Sequence, residues 1–185
     1  MRKPELRAVM RAARHRFTSA LAPRQLNDLH TGLAAIVRHG QSSTLPGCIG
    51  GYWPVGSEID PRPALAALAA DGWQVALPCV SGDALVFRAW PDLSRTPPRD
   101  WHGIPEPDEG QPVCMPDVLL VPLLAATPAG GRLGQGKGFY DRTLAASPAF
   151  AVGLLYDIQL IETLPLDPWD QPLQALATPS RWIVP

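Results

Sequence analysis

The sequence predicts an α/β fold, an open and largely parallel sheet layered with helices, and three observations lead there. Strand-like apolar segments alternate with segments of helical period, the pattern of strands joined by helices. The run "VLLVPLL", Val118 to Leu124, is apolar without interruption, as befits a central parallel strand covered on both faces. At 185 residues, 46% hydrophobic and 18% charged, the chain can bury one sizeable core, and two full domains would be cramped. Residues 1–185 are therefore read as one domain.

Each element has its own local reason. Pro4 suits the first turn of a helix in which Leu6, Val9, Met10, Ala13 and Phe17 follow at helical spacing, with the arginines opposite. Pro23 opens a second helix, with Leu26, Leu29, Leu33, Ile36 and Val37 on one face, ending near Gly40 in the polar stretch "GQSSTLPG". The period then changes. "CIGGYWPV" reads as a strand, "PRPALAALAADG" as a helix closed by Gly72, and "WQVALPCV" and "ALVFRAW" as two strands. Pro91 to Pro116, rich in proline and charge, reads as an extended surface excursion before the central strand. Beyond it, "YDRTLAAS" supplies a short helix, "AVGLLYD" a strand, "QLIETL" a helical turn, and "RWIVP" an edge strand limited by its proline.

Composition narrows the function classes. The formal net charge of -1 gives no global field for nucleic acid, although Arg2, Lys3, Arg7, Arg11, Arg14 and Arg16 make the first helix locally basic. A solvated helix face would account for that run equally well. The three cysteines, Cys48, Cys79 and Cys114, lack C-x-x-C or zinc spacing, which points to a reducing compartment. No apolar run approaches the roughly 20 residues that span a bilayer. The expectation is a soluble cytoplasmic protein, a monomer, with no nucleic-acid or membrane partner. His15, His30, His39 and His102 are scattered without an H-E-x-x-H spacing, and no G-x-S-x-G elbow is present, so hydrolase chemistry has no support.

The chemistry-bearing segment is "GGRLGQGKGFYDR", Gly130 to Arg142. Gly131 to Lys137 has the G-x-x-x-x-G-K skeleton of a Walker A loop, but Gly138 stands where Ser or Thr should ligate magnesium. Leu123 to Gly130 also separate it from its strand, whereas a Walker glycine follows the strand directly. A dinucleotide G-x-G-x-x-G fails at Phe139. The physics beneath both motifs remains. Glycines let successive N–H groups approach an anion, the following helix N-terminus adds partial positive charge, and Arg132 and Lys137 add fork and point-charge contacts. Asp141 stands where a cation bridging phosphates could find a carboxylate. A mobile surface loop would also be glycine-rich, but it would not need Phe139 and Tyr140 directly behind the glycines. In "YWPVGSEID", Glu58 follows Tyr52 and Trp53, an arrangement able to orient a flat, amide-bearing heterocycle or, alternatively, an ordinary exposed loop glutamate.

In order and spacing, "RKPELR", "YWPVGSEID", "ALPCV", "LVFRAW", "WHGIPEP", "DVLLVP" and above all "GRLGQGKGFYDR" resemble the 5-formyltetrahydrofolate cyclo-ligase family, also called methenyltetrahydrofolate synthetases. The resemblance covers most of the chain. It implies a Rossmann-like cyclo-ligase fold and an ATP- and magnesium-dependent closure of a reduced folate, releasing ADP and phosphate. Carried over by position, ATP would be met by Lys3, Arg7, Arg132, Leu133, Gly134, Gln135, Gly136, Lys137, Gly138, Phe139 and Tyr140. Lys137 and Arg132 would be the catalytic cations. Gln135, Gly136, Lys137, Gly138 and Phe139 would also border the folate, with Glu58 and either Trp53 or Trp101 beside the pterin. Asp141 would bind magnesium.

Two departures from the family's pattern stand out. "AATPAG" replaces the usual Phe-Asp before the glycine loop, which is expected to trim a wall of the site and remove a carboxylate. In "WDQPLQALAT", Gln174 falls where an ungapped alignment places a second magnesium-binding aspartate. Asp170 could substitute if that segment is helical and faces the site. The chain is thus read as an active cyclo-ligase; the alternatives are a nucleotide- or folate-binding paralogue with little catalysis, and a ligase for another substrate.

Overall fold

The computed structural model describes residues 1–41 and 45–185, the side chains of 99–101 excepted. Positions 42–44, in the polar stretch after the second helix, lie outside the described residues. Two long helices, α1 (Lys3–Ser19) and α2 (Pro23–Gly40), begin with proline in the first turn, as the sequence predicts. They are followed by β1 (Cys48–Gly50), α3 (Arg62–Ala70), β2 (Gln74–Ser81) and β3 (Ala84–Ala89). The excursion holds a hairpin, β4 (Arg99–Trp101) and β5 (Ile104–Glu106), turned by His102 and Gly103, both at positive φ (52° and 83°). Then come β6 (Val118–Pro122), a small hairpin of β7 (Ala125–Ala126) and β8 (Arg132–Leu133), and α4 (Phe139–Ala146). The chain closes with β9 (Phe150–Leu154), a 3-10 turn (Asp157–Gln159), β10 (Ala175–Ala177) and β11 (Trp182–Ile183).

Seven strands form one sheet in the order β11-β10-β9-β6-β1-β2-β3. Its inner pairs, β2/β1, β1/β6, β6/β9 and β9/β10, are parallel, and only the edge strands β3 and β11 run antiparallel. The predicted open, largely parallel sheet is the observed one. On β6, Val118 and Leu120 enter the core under α2 and α3, while Leu119 and Val121 enter the core beside α4. This two-sided burial is why the strand reads as an unbroken apolar run. No helix among the described residues is long and apolar enough to cross a membrane.

Several local expectations are corrected. β1 ends at Gly50, so Gly51 to Val55 leave the sheet and build a loop above it. The short turn sits at Asp157–Gln159, and "QLIETL" beyond Gln159 is not helical. β10 escapes sequence reading because Ala-Leu-Ala carries no β-branched or aromatic signal, yet all three residues are fully buried. On α1, Val9 is 47% exposed whereas Arg14, on the supposedly solvated face, is 4% exposed. The reason lies in what that face covers.

β1 is flanked by β2 on one side and β6 on the other, so the chain leaves their carboxyl ends in opposite directions. In open α/β sheets this switch point leaves a crevice. The loop after β1 carries Trp53 and Glu58, and the segment after β6 carries the β7–β8 hairpin and the glycine loop. Helix α1 roofs the crevice, anchored by Met10 against Leu124 and Leu133.

Candidate active site

A cavity of about 1400 Å³ opens at this switch point. That exceeds the volume typical of a single drug-sized ligand. It is lined by eight lysine and arginine residues against five aspartates and glutamates, an excess that favours an anionic ligand.

Helix α1 supplies the cationic wall. Lys3, Arg7, Arg11 and Arg14 recur at three- and four-residue spacing and so share one face. Arg14 donates from Nη1 to the Leu123 carbonyl and from Nε to Ser57 Oγ, both at 3.1 Å, and its Nη2 lies 4.0 Å from Glu58 Oε1. Burial pulls its pKa below the ordinary value, and the charge of Glu58 opposes that. Arg11 Nη2 donates to Gln135 Oε1 at 2.7 Å, and Arg7 Nε donates to the Gly134 carbonyl at 3.0 Å. Lys3 Nζ donates to Asp167 and Asp170 at 2.5 Å each. Burial alone would lower the Lys3 pKa, but these two carboxylates outweigh it and raise it.

The glycine loop is fixed at several points. Gly136 and Gly138 take positive φ values of 101° and 72°, which side-chain-bearing residues adopt rarely. A Cβ at Gly138 would also come within 2.7 Å of Arg142 Nη1. α4 starts immediately after it, with no side chain capping its amino end, an arrangement suited to an anion. Leu133 packs its side chain into the core, Gln135 and Lys137 are exposed at the cavity, and Phe139 lies beneath the Arg142 guanidinium at 5.2 Å. Arg132 is 6% exposed and pairs through Nη2 with Asp141 Oδ1 at 2.5 Å, stacking 5.9 Å from the Tyr140 ring centroid. Burial and, secondarily, Glu58 push the Tyr140 phenol well above its usual range.

At the other end, Glu58 is fixed by its own loop, Oε2 accepting from the Val55 N–H at 3.1 Å. Its Oε1 accepts from Gln135 Nε2 at 3.3 Å, so the Glu58 loop and the glycine loop meet directly. Trp53 is half-buried, with the Arg62 guanidinium 4.8 Å from its ring centroid.

The residues predicted for the site line this cavity with two exceptions: Leu133 turns its side chain into the core, and Trp101 has its backbone in β4 and its side chain outside the described residues. Sequence reasoning missed Arg11, Asp167 and Trp169. Gln174 lies outside the cavity, its Oε1 accepting from the Ala151 N–H at 2.7 Å beside the sheet. Asp170 lines the cavity from a tight turn, not from the helix that the substitution seemed to require. No residue of the "AATPAG" segment lines the cavity. Ala126 and Thr127 are buried behind the loop, and Thr127 Oγ1 accepts from the Gly131 N–H at 3.1 Å, closing the β7–β8 turn. Among the described residues, no three His, Cys, Asp or Glu side chains cluster as a self-contained metal site.

Comparison with known proteins agrees with this geometry. Residues 1–179 match the 5-formyltetrahydrofolate cyclo-ligase family. The chain belongs to that family. It is 32% identical over 197 residues to the 5-formyltetrahydrofolate cyclo-ligase of Mycolicibacterium smegmatis, covering 89% of this chain and 98% of that one. The Escherichia coli protein of the same name is 32% identical over 171 residues, 88% of this chain and 94% of that one. Among solved structures, the 5,10-methenyltetrahydrofolate synthetase of Aquifex aeolicus superposes with a TM-score of 0.77 at 29% identity, covering 100% of this chain and 93% of that one. The Mycoplasma pneumoniae synthetase shares the fold, with a TM-score of 0.73 at 23% identity and coverage of 97% and 100%. This chain is therefore an enzyme of the cyclo-ligase family.

Proposed function

We propose that this protein converts 5-formyltetrahydrofolate to 5,10-methenyltetrahydrofolate, consuming ATP and releasing ADP and phosphate. The observation that carries the reading is the 3.3 Å contact between Gln135 and Glu58, which brings the glycine loop against the Glu58 carboxylate in one cavity, as a phosphate cradle meeting a heterocycle-orienting group would require. Two substrates held this way would react across that junction. The formyl oxygen attacks the terminal phosphoryl group and ADP leaves; folate N10 then attacks the activated formyl carbon, N10 loses its proton and phosphate departs. Little covalent work falls to the protein, so positioning and charge stabilisation dominate.

The residues divide that work. Lys137, Arg7 and the amino end of α4 meet the triphosphate, and Lys137 follows the transferring group. Arg132, buried and paired with Asp141, orients that carboxylate and stiffens the loop. Glu58, held by Val55 and faced by Arg14, receives the N–H groups of the pterin, with Trp53 alongside. Asp141 and Asp170 fit magnesium, since phosphate oxygens and waters normally supply most of its six ligands. When bound, the ion would neutralise phosphate charge.

The test is turnover. Purified protein mixed with 5-formyltetrahydrofolate should develop the near-ultraviolet absorbance of the methenyl product only when ATP and magnesium are both present. Folate binding without product at high enzyme concentration would overturn the reading in favour of a binding paralogue.

A further inference from the structure

Trp169 is 67% exposed although it lines the cavity. Exposed apolar residues are common, but this indole is presented by an unusually constrained turn. Asp167-Pro168-Trp169-Asp170 is closed by the Asp170 N–H donating to the Asp167 carbonyl at 3.0 Å. The Asp167 N–H donates to Asp170 Oδ2 at 2.7 Å, and Lys3 Nζ clamps both carboxylates. Pro168 presets the backbone at the second position. Gln171 Nε2 adds a bond to the Trp169 carbonyl at 3.1 Å.

Helix α1 fixes where this turn stands. Lys3 contacts it, Arg7 and Arg11 contact the glycine loop at Gly134 and Gln135, and Arg14 contacts Ser57 in the Glu58 loop. From Lys3 to Arg14 the helix rises about 16 Å. The anion-binding glycine loop is thus central, with one indole at each end of the cavity: Trp53 beside Glu58, and Trp169 beside Lys3. Two flat heterocycles must be held. If the pterin occupies the Glu58 end, the base joined to the phosphates through a ribose is left the opposite one.

Resting on the ATP-dependent reading above, we propose that Trp169 is the stacking platform for the nucleotide base. Asp167, whose side chain is 42% exposed beside it, accepts a hydrogen bond from a ribose hydroxyl or an exocyclic amine. Stacking is sequence-tolerant, so the larger purine ring is favoured over a pyrimidine by area and not by base-edge readout.

Calorimetry on the full chain separates the possibilities, using ADP, CDP and inorganic tripolyphosphate with magnesium. Trp169→Ala should weaken ADP roughly five- to a hundredfold and shrink the preference for ADP over CDP. Trp169→Phe should stay close to wild type, and tripolyphosphate affinity should be the same in all three proteins. Unchanged ADP affinity in Trp169→Ala would overturn the platform alone. An equal loss of tripolyphosphate affinity would also overturn it, making Trp169 a support for the Lys3 turn. Failure of the wild-type protein to bind ADP would defeat the ATP-dependent reading itself, and the platform with it.

Discussion

Asp170→Asn removes one charge from the Lys3 clamp while preserving side-chain shape. Asp170 Oδ2 lies 2.5 Å from Lys3 Nζ, with the two side chains 14% and 16% exposed. A hydrogen bond to a charged group contributes about 1.5–3 kcal/mol, and the lower end applies because Asp167 remains and an amide oxygen can still accept. A loss of about 1.5 kcal/mol should lower Tm by roughly 3–6 °C in a protein of this size. The pH dependence has a definite sign. Burial would raise the Asp170 pKa, but Lys3 and the Asp167 N–H together hold it below the ordinary 3.8. Its contribution is therefore complete above the unfolded carboxyl value and is lost as pH falls through the depressed folded one. Thermal melts should separate wild type and Asp170→Asn near neutrality and bring them together in strong acid. In turnover assays Asp170→Asn should raise the magnesium concentration for half-maximal rate, whereas Gln174→Asp should leave it unchanged. A stability gap that persists unaltered in acid, or a Gln174→Asp variant with a lowered magnesium requirement, would refute the assignment.

Two further perturbations separate chemistry from scaffolding. Lys137→Ala should lower kcat on the order of a hundredfold, about 2.7 kcal/mol, with little change in folate KM, because a cation on the transferring group acts mainly in the transition state; a near-silent variant in steady-state kinetics would remove Lys137 from the phosphoryl group. Thr127→Val strips the buried hydroxyl that accepts from Gly131, so it should cost about 1–3 kcal/mol of stability, read as a lower Tm, with the magnesium curve unmoved. A shifted magnesium curve with an unchanged Tm would mean that position 127 serves the metal after all.

What was legible in the sequence was what is local. The prolines opening α1 and α2, the two-sided apolar run of β6, and the glycines of the loop before α4 act through backbone geometry within a few residues, and each appears where expected. β10 was illegible because its burial comes from parallel pairing with β9, which needs only small side chains and leaves no periodic trace. The Asp167–Asp170 turn was illegible for a different reason: its partner, Lys3, lies at the opposite end of the chain.

The first helix illustrates the limit most sharply. A row of arginines opposite an apolar stripe is the pattern of a solvated face, and Lys3, Arg7, Arg11 and Arg14 satisfy it. Their targets, however, are the Asp167–Asp170 turn, the Gly134 carbonyl, Gln135 and the Leu123 carbonyl, all supplied by segments that return to the sheet's carboxyl edge much later in the chain. The helix therefore carries two sides of opposite character, an apolar one that anchors it through Met10 and a cationic one that walls the cavity, of which only Arg14 is buried. Arg14 marks the junction. An arginine so deeply buried needs its hydrogen bonds to carbonyl and hydroxyl groups and the nearby Glu58 carboxylate to offset its desolvation. Those same contacts fix the Glu58 loop against the segment that leads into the glycine loop. The groups that stabilise the roof of the cavity thereby also set the distance between its two proposed substrate ends.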